Sequence, residues 1–117
     1  MPRDREVLRL EAIRVVRDYL QHEISSVKGG FIPLTIRRVV RFAIRKYGTV
    51  PIDTERPELI IAEVIRWICV AFAGAKSSKP ASCMILRSAA EKALRWIEEE
   101  LRRGVVDRFD SMLGAGQ

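Results

Sequence analysis

The chain has 117 residues, 48% of them apolar, with a formal charge of +6. That length suits one domain with an ordinary core, and that apolar share excludes a disordered chain. One histidine and two cysteines are too few for a zinc site or a Ser-His-Asp triad with anything in reserve, so no metal, cofactor or small-molecule substrate is expected.

Residues 4–28 read as a long amphipathic helix. Ile13, Val16, Tyr19, Leu20, Ile24 and Val27 recur at helical spacing on one face, with Glu11, Arg14, Asp18, Gln21, His22 and Ser25 on the other. Arg14 with Asp18 is the expected short-range pair. Gly29 and Gly30 stop the helix.

A second helix is expected from about Pro33, a residue favoured in a first turn, to the residue before Gly48. Ile36, Val39, Val40, Ala43 and Tyr47 form its apolar face, and Arg37, Arg38, Arg41 and Arg45 a stripe opposite. Residues 24–52 contain no acidic side chain but hold Lys28, these four arginines and Lys46; the remainder has fifteen basic and fifteen acidic residues. The whole net charge therefore lies in this window. Between the faces, Phe42 is the aromatic expected to be exposed, and Tyr47 the one expected in the core.

The loop 48–57 keeps out of helix through Gly48, Pro51 and Pro57, and Asp53 or Thr54 can cap the next helix. Residues 57–75 form that central helix. Only Glu58, Glu63 and Arg66 are charged there, on one strip, so the helix must be surrounded by others. The stretch is too short and too charged to span a membrane. A fourth helix is expected over 80–103, with Cys83, Leu86, Ala90, Ala93, Leu94, Ile97 and Leu101 inward. Its outer ladder is Glu91, Arg95, Glu99 and Arg103, with Glu98 beside Arg102. Before it, Lys76, Ser77, Ser78 and Lys79 either bind an anion at a helix start or simply cap it. A short amphipathic piece (105–113) and a frayed tail (114–117) close the chain. No internal repeat and no extended β pattern is evident. The expected fold is all-α: a single domain built as a four- to five-helix bundle around the helix 57–75.

Cys69 and Cys83 fall roughly level in an antiparallel hairpin, where a disulfide is geometrically feasible; two buried thiols are the alternative. Asn is absent and Arg outnumbers Lys sixteen to five, a composition that points to a hyperthermophile, where intracellular disulfides are tolerated. The charged N-terminal residues leave no apolar signal segment, and a cytoplasmic location is expected.

Arginine presents a rigid fork of donors that matches phosphate oxygens. Four on one face without acidic neighbours repel each other, so a partner is expected. The leading candidate is a nucleic-acid backbone held by Arg37, Arg38, Arg41, Arg45 and Lys46, with Lys28, Lys76 and Lys79 as outer contacts and no catalysis. Small basic helical proteins of hyperthermophilic archaea, among them viral coat subunits and subunits of RNA-guided complexes, supply the fold-level analogy. The alternative is an assembly subunit, in a homodimer or larger complex, whose stripe meets an acidic surface such as Glu98 to Glu100. A third reading comes from Arg17-Asp18-Tyr19-Leu20-Gln21-His22, whose R-x4-H spacing resembles that of HEPN-type ribonucleases. The resemblance implies RNA cleavage by Arg17 and His22 in a helical dimer, although five helical steps set the two side chains about 140° apart.

Overall fold

A computed structural model describes residues 4–26, 29–75 and 81–104. Its six elements, in chain order, are α1 (Arg5–Ser26), β1 (Phe31–Thr35), α2 (Ile36–Tyr47), α3 (Pro57–Ala73), β2 (Ser82–Leu86) and α4 (Arg87–Arg103). The molecule is mostly helical, but it is not a pure bundle. Two strands pair antiparallel, with Phe31 opposite Leu86, Pro33 opposite Met84 and Thr35 opposite Ser82. The expected second and fourth helices each lose their opening residues to a strand.

Each half of the chain has the order helix, strand, helix, an architectural repeat with no counterpart in the residue pattern. The strand register puts Ile32, Leu34 and Ile85, all fully buried, on the inner face. Phe31, Met84 and Leu86, more than half exposed, lie on the outer face with Pro33 between them. The Tyr19 hydroxyl donates to the Pro33 carbonyl, fixing β1 to α1. Arg87 N–H donates to Gly30 O at 3.1 Å, extending the ribbon by one bond.

The central helix α3 starts at Pro57, which has no N–H to lose. Arg56 occupies its N-cap with no side-chain cap bond. Asp53, expected as a cap, instead donates its backbone N–H to Glu11 of α1 at 3.2 Å. Ile60, Ile61, Val64, Ile65, Trp67, Ile68 and Cys69 are buried, and α3 packs on α1, α2, α4 and β2. Cys69 is joined to Cys83 of β2 by a disulfide, with Cα atoms 6.0 Å apart. Among the charged strip of α3, Glu63 accepts from Arg9 at 3.2 Å and also pairs with Arg5.

Helix α4 buries Ala90, Ala93 and Ile97, and also Glu100, which is 2% exposed and pairs with Arg103 at 3.4 Å. Glu100 is therefore withdrawn from the acidic surface expected at 98–100. The outer pairs are Arg87 with Glu91 and Arg102 with Glu99, set by i,i+4 and i,i+3 geometry rather than the ladder expected. The piece 105–113 and the tail lie outside the described residues. No described helix is long and apolar enough to cross a membrane.

Candidate nucleic-acid interface

Helix α2 is held lightly: only Val39 and Ala43 are fully buried. Its ends are well defined. The Thr35 side chain accepts from Arg38 N–H at 3.2 Å, an N-cap bond. Gly48 adopts φ 81° and donates to Ile44 O at 2.8 Å, closing the C-terminus in a left-handed conformation that glycine takes without strain. The remaining circumference carries Arg37, Arg38, Arg41 and Arg45, all exposed.

None of these four arginines forms an ion pair among the described residues, whereas Arg5, Arg9, Arg17, Arg56, Arg87, Arg102 and Arg103 each meet a carboxylate. The first turn of α2 contains no acidic residue but carries Arg37 and Arg38. A cation there opposes the helix dipole at a cost of about 0.3–1 kcal/mol each. Arg45 and Lys46 in the last turn sit on the favourable end.

Lys46 does not join the stripe. It turns toward α1, with Nζ 3.9 Å from Asp18 and over the rings of Phe42 and Tyr47 at 5.7 and 5.4 Å. Asp18 also accepts from Arg17 Nε at 3.1 Å and from the Tyr47 hydroxyl, so it is taken up by these three groups and not by Arg14. The aromatic expectations are reversed: Tyr47 is 40% exposed, while Phe42 is half-buried. Phe42 meets Tyr19 edge-on at 5.8 Å and the His22 ring at 5.4 Å. Lys28, Lys76 and Lys79, with Ser77 and Ser78, lie outside the described residues.

Alongside the stripe runs a groove between α1 and α2, in two adjoining cavities of about 500 Å³ each. The first is lined by all four arginines from the α2 side and by Tyr19, His22 and Glu23 from α1. The second continues past Phe42, His22 and Arg45 to Gln21 and Ser25. Burial pushes the Tyr19 phenol up to about 12; Glu23 adds to this, and the Arg38 guanidinium hydrogen-bonded to it works against it. The Tyr47 phenol is likewise raised to about 12, by desolvation and by its bond to the Asp18 carboxylate.

On the opposite flank of α2, Ile36, Val40 and Ile44 line a shallow apolar depression with Arg37 and Arg41 at its rim. The tertiary placement of Tyr19, His22 and Glu23 beside the arginines is not readable from spacing within one helix. In the sequence Tyr19 reads only as part of the apolar face of α1, and His22 lies on its polar side. Arg17 and His22 are engaged separately, the former with Asp18 and the latter with Phe42. Among the described residues no group of His, Cys, Asp and Glu side chains could hold a metal ion. No protein-family model matches the chain, and searches of curated proteins and of solved structures return no match.

Proposed function

We propose that the protein binds the phosphate backbone of nucleic acid through Arg37, Arg38, Arg41 and Arg45, without catalysing a reaction. The observation that carries this reading is a four-arginine face with no carboxylate partner among the described residues, on a molecule whose other arginines are largely paired. Two of the four oppose the dipole of their own helix. Such an arrangement weakens the isolated fold and is relieved by an anionic partner. Bidentate contacts to phosphate oxygens and release of condensed counterions supply the affinity. Lys46 contributes field rather than contact, because Asp18 already holds it.

Fluorescence anisotropy of labelled DNA and RNA at low salt tests this. The Arg37→Ala/Arg41→Ala variant should bind every sequence more weakly by a similar factor. Equal binding by the variant and the parent would overturn the assignment.

One observation favours a second reading, an assembly subunit. The depression lined by Ile36, Val40 and Ile44 offers apolar contact beside the arginines, as a protein interface does. In that case the same variant changes the oligomeric state and has little nucleic-acid affinity to lose.

A further inference from the structure

The groove carries more than positive charge: the His22 and Phe42 rings line it beside the arginines. His22 projects from α1 as an exposed side chain and lies against Phe42 of α2, with ring centroids 5.4 Å apart and planes tilted by 40°. Phe42 also meets the Tyr19 ring edge and the Lys46 ammonium, and both His22 and Phe42 line the groove. His22 is the more exposed of the two rings, and its side chain is the one offered to a ligand. Arg38, Arg41 and Arg45 border the same cavity. Asp18 does not oppose an anion there, since Arg17, Lys46 and Tyr47 engage it. Glu23 is the acidic group left to offset the four arginines in that cavity.

We propose that this α1–α2 groove is a single-strand subsite, in which an unpaired base stacks on His22 and the flanking phosphates lie on Arg38, Arg41 and Arg45. The proposal rests on the backbone-binding reading above and narrows it. A duplex presents phosphates to exposed arginines equally well, but its bases are stacked on one another and are not free to stack on a protein ring. A single strand can place a base there, because every base has a π-face, and the interaction is tolerant of sequence.

The test compares four labelled 12-mers by anisotropy: single-stranded DNA, single-stranded RNA, a fully abasic strand of the same charge, and duplex DNA. Stacking predicts that the intact single strands bind about tenfold more tightly than the abasic strand. His22→Ala should remove that difference while leaving abasic binding unchanged, and His22→Phe should restore it by keeping a ring. Equal affinity for intact and abasic strands, or no effect of His22→Ala on their ratio, overturns the subsite while leaving the backbone reading intact. Absence of binding to all four probes overturns both.

Discussion

Cutting the link between Cys69 and Cys83 tests how the ribbon is fixed to the core. The bridge joins α3 to β2 across a sequence separation of 14 residues. Closing a loop of about 15 residues restricts the unfolded chain by about 3 kcal/mol. Little offsets this loss in the reduced native state, because Cys69 is buried and Cys83 half-buried and neither thiol gains much from water. For a domain of this size, 3 kcal/mol corresponds to a fall in Tm of roughly 10–15 °C. The assay is thermal unfolding followed by circular dichroism, before and after reduction and alkylation, with thiols titrated in denaturant. The untreated protein should titrate no thiol. The Cys69→Ala/Cys83→Ala variant should melt at the lower temperature with or without reductant. An unchanged Tm with two thiols demonstrably reduced would refute the reasoning.

The packing and the hydrogen bonds set three further outcomes. Ile85→Ala empties a fully buried position on the inner face of the ribbon and should cost about 3 kcal/mol in urea unfolding. Thr35→Ala removes the N-cap bond to Arg38 N–H and should cost about 1 kcal/mol; hydrogen exchange should show the loss in the amides of α2. Tyr19 is raised from an unfolded value of 10.0 to about 12, so the fold binds its phenolic proton more tightly than the unfolded chain does. The associated stability is fully present below pH 10 and is lost as pH rises through about 12. Denaturant midpoints across that window should fall less steeply in Tyr19→Phe than in the parent.

The helices are legible in the sequence because their apolar residues recur at 3.6-residue spacing over three or more turns, as in α3, where Ile60, Ile61, Val64, Ile65 and Ile68 are all buried. The strands are not. Phe31–Thr35 and Ser82–Leu86 are five residues each, too short for a period of two to be told from the start of an apolar helix. Pro33 reads as a first-turn proline, yet it sits in a ribbon opposite Met84. A partner strand about fifty residues away decides between these readings, and no local window contains it. The arginine stripe is legible from spacing alone. Its surroundings are not: Lys46 belongs to the α1 side because Asp18 and two rings await it there, and Tyr47 stays at the surface because its hydroxyl donates to the same carboxylate. Glu100 shows the same limit, being in sequence one of three consecutive glutamates and in the fold a buried one held by Arg103.

The central claim is that Arg37, Arg38, Arg41 and Arg45 meet phosphates, and the salt dependence of binding tests it most directly. Each phosphate neutralised on a single strand contributes about −0.7 to the slope of log K against log salt concentration. Four arginine contacts therefore predict a slope of about −2.8, a loss of roughly 50-fold between about 50 and 200 mM salt. The Arg37→Ala/Arg41→Ala variant should halve the slope, leaving a loss of about sevenfold over the same range. A slope near zero in the parent, or one unchanged in the variant, would contradict the account.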